Sequence, residues 1–307
     1  VWQRGTTFTN PTSNSYTADR WQVEHDGTGA TRTVSQQTFT PGTAPVTGYE
    51  GQYFFRYAVS VAGTGNTYQQ FMQKIEDVRT LAGQTATLSF WAKADASRVV
   101  NILYRTDYGT GGSSANQFSA GSVTLTTSWA RYTVTYAVPS VSGLTIGANS
   151  YGQWNFRPIA ATAQTIDIWG VQIEAGSVAT PFQIASGSIG GELALCQRYY
   201  ERLTADTAYG LFGSALTNNS TTATAFIPYK VTKRTTPTVI DTSTVGGWQL
   251  DDGISGFTAT AIVIATAYNN TQAGAVTVTS SGMTQYRPCV LVAKNSSTAY
   301  IGFSAEL

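Results

Sequence analysis

The chain has 307 residues, 11% of them charged, with 18 Lys+Arg against 17 Asp+Glu and a formal net charge of +1. An ordinary soluble domain carries about 25% charged residues, so a coiled coil, a long-helix protein and a charged disordered tail are excluded. The even charge balance also lacks the basic excess that drives nucleic-acid binding. What remains has 30 Gly, 17 Tyr, 13 Phe and 7 Trp with abundant Thr, and points to β structure. No run reaches the roughly 18 apolar residues of a membrane helix, so neither a nucleic-acid partner nor membrane insertion is expected. The chain starts at Val1, which reads as a fragment or as a longer chain with its start missing. At roughly 100–200 residues per domain, the length favours two domains.

In chain order, the first candidate for chemistry is Glu24-His25-Asp26, which holds the only histidine. A triad needs a nucleophile and an orienting partner around its base, and no Gly-x-Ser-x-Gly elbow accompanies this one. Lying before Gly27 and Gly29, it reads as a solvated loop. Residues 41–48 then form a turn cluster, and 62–66, 109–116 and 140–143 form others. Between them runs period-2 alternation, the signature of half-buried strands. Tyr53, Phe55, Tyr57 and Val59 share one face. Leu88, Phe90 and Ala92 share another, opposite Thr87, Ser89, Trp91 and Lys93. Tyr132, Val134, Tyr136 and Val138 form a third. In 151–158, Gly152, Trp154 and Phe156 face a core, while Tyr151, Gln153, Asn155 and Arg157 face away. Ile166 and Ile168 alternate until the phase slips at Gly170, where a bulge is expected.

This pattern predicts an antiparallel jelly-roll sandwich over 1–185. Residues 186–203 read as a linker and short helix, because Leu193, Cys196, Tyr200 and Leu203 fall at helical spacing. That stripe could pack on its own domain or form an oligomer seam. Short strands return from 204 to 307 and predict a second, smaller β-sandwich. The fold class is therefore all-β.

The catalytic inventory is thin, and no enzyme activity is expected. Asp251-Asp252 and Glu76-Asp77 are adjacent acids, which a strand points to opposite faces, and turns explain them. There is no phosphate-binding Gly-x-x-x-x-Gly-Lys loop and no dinucleotide fingerprint. Cys196 and Cys289 read as buried free thiols, too few for a disulfide scaffold or a four-cysteine zinc site. No metal or cofactor is assigned, although Asp167, Glu24 and Asp26 offer oxygen ligands that could suit calcium. Binding has more support. Asn101 and Arg105 share a face near 99–106. Together with Trp91, Lys93, Tyr151, Gln153, Asn155 and Arg157 they would give one sheet face of aromatic, amide and guanidinium groups. Such a mixture suits sugars, whose C–H faces stack on rings and whose hydroxyls bond amides and Arg. On this reading Trp91→Ala with Tyr151→Ala should weaken binding at nearly constant melting temperature. The alternative is an ordinary polar sheet face, or one covered by a partner chain.

Several segments are more specific than periodicity. They are WQRGTTF at 2–8, YTADRW at 16–21, WGVQIEAGSVATPFQ at 169–183, ELALCQRYYE at 192–201, TKRTTPTV at 232–239 and FSAEL at 303–307. In this order they resemble the tail-fibre and related virion-appendage proteins of tailed bacteriophages, which carry a carbohydrate-binding-module-like jelly roll before a small β domain. The resemblance implies a virion structural protein, a homotrimer, contacts to other virion proteins and a host cell-surface glycan or receptor as partner. It leaves tail fibre, tailspike, head fibre, and capsid or head decoration protein as open alternatives, and it supplies no residue-level site.

Overall fold

The computed structural model describes residues 1–46 and 49–307, so Thr47 and Gly48 of the expected 41–48 turn lie outside the described residues. The chain forms two compact units, Trp2–Ile184 and Ala185–Glu306. The first is built from β1 (Thr7–Thr9), β2 (Ser15–Tyr16), β3 (Trp21–His25), β4 (Thr31–Thr38), β5 (Tyr53–Val61) and β6 (Gln69–Glu76). It continues with β7 (Thr85–Ala94), β8 (Arg98–Asp107), β9 (Asn116–Leu125), β10 (Ala130–Ala137), β11 (Tyr151–Pro158) and β12 (Gln164–Ala175). These make two six-stranded antiparallel sheets, ordered β1-β4-β5-β12-β7-β10 and β2-β3-β6-β11-β8-β9. The class is all-β, and these two sheets form an antiparallel sandwich.

Alternation decides what each sheet buries. Leu88, Phe90 and Ala92 of β7 point inward, as do Trp154 and Phe156 of β11, and all are at most 1% exposed. Phe71 stacks on Phe156 at 5.2 Å, and Phe90 meets Phe156 edge-on at 5.0 Å. Offset and edge-on ring pairs of this kind stabilise beyond their area alone. The expected slip in β12 is present, with the register to β7 shifting between Trp169 and Gln172. Gly170 has φ +61°, and a Cβ there would come within 2.9 Å of the Trp91 ring.

The second unit contains α1 (Ile189–Gln197), β13 (Tyr200–Thr204), β14 (Leu211–Thr217), β15 (Thr222–Pro228), β16 (Val239–Thr242) and β17 (Trp248–Asp251). Then follow β18 (Gly256–Thr258), β19 (Ala261–Ile264), β20 (Ala273–Thr279), β21 (Pro288–Ala293) and β22 (Tyr300–Ser304). A seven-stranded sheet, β18-β17-β21-β14-β15-β20-β19, accompanies a three-stranded one, β13-β22-β16. Their shared core includes Trp248, Leu250, Val276, Leu291, Ile301 and Phe303.

The helical stripe expected at 193–203 is corrected here. Ser188 caps the helix by accepting from the Gly191 N–H, and the helix ends at Gln197. Leu193 and Cys196 therefore lie on it, whereas Tyr200 and Leu203 lie on β13, paired with Ser304 and Ile301 of β22. Ring residues favour pleated pairing. Tyr200 is buried over Gly302, where a Cβ would meet its hydroxyl at 2.2 Å, and donates to Asp241 Oδ2 at 2.9 Å. No continuous seam joins the four residues. Cys289 is buried as expected, but Cys196 is only half-buried.

One core feature was not legible in the sequence. Lys233 and Glu201 are both fully buried and paired at 2.5 Å, with Lys233 Nζ also donating to the Gln197 carbonyl at 2.6 Å. Burial pulls the Lys233 pKa down, opposed by Glu201. Glu201 in turn accepts the Lys230 N–H at 3.0 Å. Breaking a buried pair leaves an uncompensated charge and costs about 3–5 kcal/mol, whereas replacing both partners with apolar groups is often far cheaper. Urea unfolding is therefore expected to show a large loss for Glu201→Gln or Lys233→Met alone. The Glu201→Leu/Lys233→Met double variant should lose less than the two single losses added together. Strictly additive losses would mean that the pair is not coupled.

Candidate functional site

The site is the outward face of the second sheet of the first unit. β11 lies between β6 and β8, so each of its outward residues has a neighbour on both sides. Register sets Tyr151 beside Glu76 and Asp107, and Gln153 beside Lys74 and Arg105. It sets Asn155 beside Met72 and Leu103, and Arg157 beside Asn101. β3 extends the rows, with Gln22 opposite Met72 and Glu24 opposite Gln70. Six of the residues singled out in the sequence thus share one face: Asn101, Arg105, Tyr151, Gln153, Asn155 and Arg157.

Trp91 and Lys93 do not join them. They lie on β7 in the other sheet. Alternation shows which side of its own strand a residue takes, but not to which sheet the strand belongs. Trp91 is only 9% exposed and packs against Trp169 at 5.5 Å and Phe182 at 6.0 Å. The Arg131 guanidinium lies 4.7 Å from its ring centroid. Lys93 Nζ lies 3.8 Å from Asp167 and 5.4 Å from the Trp129 ring. Asp167 also takes both Arg56 donors, at 2.7 and 2.9 Å. Asp167 is therefore in the opposite sheet from Glu24, and no group of three metal-ligating side chains occurs among the described residues.

Sequence reasoning missed Gln22, Gln70, Met72, Lys74 and Asp107, and weighed Glu24 only beside His25 and as a calcium ligand. The signal was available, since Gln70, Met72, Lys74 and Glu76 alternate with Phe71, Gln73 and Ile75 along β6. His25 is not a loop residue. It ends β3, and its Nε2 lies 3.0 Å from the Pro11 carbonyl.

Polar groups on this face bind one another. Arg157 Nε donates to Gln70 Oε1 at 2.8 Å, and Gln70 Nε2 donates to Glu24 Oε2 at 2.5 Å. Arg105 donates to Asp107 Oδ2 at 3.1 Å. Two cations lie over rings, Lys74 at 4.6 Å from Tyr151 and Arg157 at 5.4 Å from Tyr68. Burial pushes the Tyr151 phenol up to about 12, and Asp107 adds to the shift. Burial works to raise Asp107, but the Gly109 N–H, Arg105 and Tyr151 outweigh it and hold the carboxyl below its usual range. Burial lowers Arg157.

Exposure divides the face. Gln153 is 3% exposed and Asn155 0%, so these two form its floor. Asn101 is exposed, and Arg105, Tyr151 and Arg157 are half-buried. Arg105 Nε and Asn155 Nδ2 are buried donors with no acceptor among the described residues. A cleft of about 130 Å³ opens between Asn14, Gln22, Glu24, Met72, Lys74, Arg105, Tyr151 and Gln153. This is smaller than the roughly 300–1,000 Å³ of an enclosed small-molecule pocket. The arrangement offers rings, amides and guanidinium groups along an open surface.

Trp91 now carries a different expectation from Tyr151. Removing a buried indole costs about 3–5 kcal/mol. Trp91→Ala should lower the melting temperature clearly, whereas Tyr151→Ala should lower it less. Equal melting temperatures for Trp91→Ala and the parent would show that the cluster around Trp169 does not hold the first sheet.

Comparison with known proteins places this face in context. Residues 21–150 match the family model described as carbohydrate binding domain. No curated protein matches the chain. Among solved structures, the enzymatically active domain of bacteriophage CBA120 tailspike protein 4 is similar over 51% of this chain and 19% of that one, at 18% identity and TM-score 0.35. The chain thus spans about a fifth of that tailspike domain. The family 11 carbohydrate-binding module of a Clostridium thermocellum cellulase is similar over 55% of this chain and 95% of its own, at 12% identity and TM-score 0.35. The N-terminal cellulose-binding domain of a Cellulomonas fimi β-1,4-glucanase is similar over 52% and 90%, at 19% identity and TM-score 0.31. The stretch from β3 to β10, which supplies both sheets, thus matches a carbohydrate-binding domain.

Proposed function

We propose that the first unit binds a glycan on the outward face of β3, β6, β11 and β8, and that the protein serves a phage virion in host attachment, as a tail fibre or similar appendage. The carrying observation is that Asn101, Arg105, Tyr151 and Arg157 come together on one accessible face, within a unit whose residues 21–150 match a carbohydrate-binding domain. Arg105 and Arg157 are half-buried guanidinium groups on this face, and sugar hydroxyls accept from such donors. The Tyr151 ring gives a surface on which a pyranose can stack. The charges balance, with Lys74, Arg105 and Arg157 against Glu24, Glu76 and Asp107. Recognition then rests on short-range contacts and not on long-range steering.

The virion role is supported by the ordered segments that resemble tail-fibre and appendage proteins. In that setting the protein is a homotrimer at the virion surface, joined to other virion proteins, and weak individual contacts are multiplied by copy number.

The test is binding of the purified chain to host cells and to envelope polysaccharide, followed by calorimetry. Arg105→Ala and Tyr151→Ala are each expected to weaken binding about tenfold, equivalent to about 1.4 kcal/mol. Unchanged affinity in both would remove this face from recognition. With no histidine on the face, affinity should stay flat between about pH 6 and 9. Binding to capsids with indifference to host cells would favour a decoration protein, and release of oligosaccharides would favour a depolymerising tailspike. Light scattering is expected to give the mass of three chains, and a stable monomer would remove the trimer.

A further inference from the structure

Three turns of the second unit leave the seven-stranded sheet at one end. Register puts Thr217 opposite Ala223, Leu216 opposite Pro288, Thr222 opposite Thr279, and Asp251 opposite both Gly256 and Val290. The turns 218–221, 252–255 and 280–287 therefore lie side by side. Tyr286 stands in the last of them, 73% exposed, with φ +60°. Glycine and asparagine enter that left-handed region readily, whereas the Cβ of a tyrosine crowds the following carbonyl. Strained residues persist where their surroundings over-determine them, and Thr217 supplies that constraint. It is 1% exposed. Its hydroxyl donates to the Thr284 carbonyl at 2.6 Å and accepts the Arg287 N–H at 2.8 Å. Its carbonyl accepts the Tyr286 N–H at 2.9 Å. One buried threonine thus clamps the chain on both sides of Tyr286, and the ring projects from a fixed backbone. Arg287 is held as well. Its Nη1 donates at 2.9 Å to Asp252 Oδ2, whose side chain is buried, while the Arg287 side chain stays 39% exposed. Asp252 Oδ1 in turn accepts the Ile254 and Ser255 N–H groups at 3.0 and 2.8 Å.

We propose that Tyr286 and Arg287 form a second sugar-binding site, separate from the sheet face of the first unit. The ring offers a flat apolar platform for the C–H face of a pyranose. The guanidinium, aligned by Asp252 through one nitrogen, keeps further N–H donors for sugar hydroxyls. The turn itself needs no ring at position 286, so the strain retains a side chain that the fold does not use. Size favours a sugar over a protein. A stable protein contact takes about 20–30 residues a side. Here one ring and one guanidinium are joined by the exposed turn residues Asn219, Ser220, Thr284 and Gln285, whose amides and hydroxyls suit sugar hydroxyls. The site lies outside residues 21–150, so it rests neither on the carbohydrate-binding domain match nor on the face of the first unit.

The experiment is saturation-transfer NMR of the full chain with the methyl glycosides of glucose, galactose, mannose and N-acetylglucosamine. The chain carries Arg105→Ala and Tyr151→Ala, to weaken the face of the first unit, and is compared with and without Tyr286→Asn. At least one glycoside is expected to receive saturation from the chain that keeps Tyr286. That signal should be lost in Tyr286→Asn and kept in Tyr286→Phe. Melting temperature separates binding from folding. Asparagine tolerates the left-handed backbone, so Tyr286→Asn should melt at or above the temperature of the chain with Tyr286. A clear drop would show that the ring serves the fold, and would overturn the proposal. So would a signal that Tyr286→Asn leaves unchanged, or no saturation of any glycoside. Restoring Arg105 and Tyr151 beside Tyr286→Asn reads the first unit alone, so the two sites can fail separately.

Discussion

The register of β11 between β6 and β8 decides most of the first unit. Trp154 lies opposite Tyr104 and Gln73, and Phe156 opposite Ile102 and Phe71, all on the core side. A slip of one residue would send both rings to solvent and turn Gln153, Asn155 and Arg157 inward. Fully burying one large apolar side chain contributes about 1.5–3 kcal/mol, so the core holds this register firmly. The polar face inherits its geometry from that choice. Its residues need no separate device to hold them, because the rings behind them already fix the strand.

Such a face resists sequence reading in one specific way. Alternation along β11 and β8 gave the side of each strand correctly, and Tyr151, Gln153, Asn155 and Arg157 share a face for that reason. Trp91 and Lys93 have the same local pattern, yet β7 pairs with β12 and β10 in the other sheet. Pairing is set by contacts far apart in sequence, which period-2 patterning does not record. The same limit applies at Tyr200 and Leu203. Their spacing fits a helix, but Ser304 and Ile301 of β22 offer a strand to pair with. The Gly170 bulge was legible because a break in phase is local. The Lys233–Glu201 pair was not, because nothing in either residue's neighbourhood shows that the other lies beside it.

Scarcity of charge takes on a structural meaning. On the jelly roll, Arg105 is committed to Asp107, Arg157 to Gln70 and the Tyr68 ring, and Arg56 to Asp167. These commitments align the side chains before any ligand arrives, and pre-alignment reduces the ordering cost of binding. Side chains held in this way present fixed donors at the surface. The low charge content therefore does not leave the face chemically weak. It leaves a face whose few charged groups are already oriented.

The two outward faces differ for a common reason. Each sheet must bury one side, and the other side is free to vary. On the jelly roll the free side carries Gln, Asn, Tyr and paired ions, which water solvates well and sugar hydroxyls can replace. On the seven-stranded sheet the free side carries Thr, Val, Leu and Phe, which water solvates poorly. Phe226 and Val263 are 44% and 55% exposed, and each would gain from leaving water at roughly 25 cal/mol per Å² of apolar surface. The two faces belong to different units, so substitutions on one leave the residues of the other unaltered.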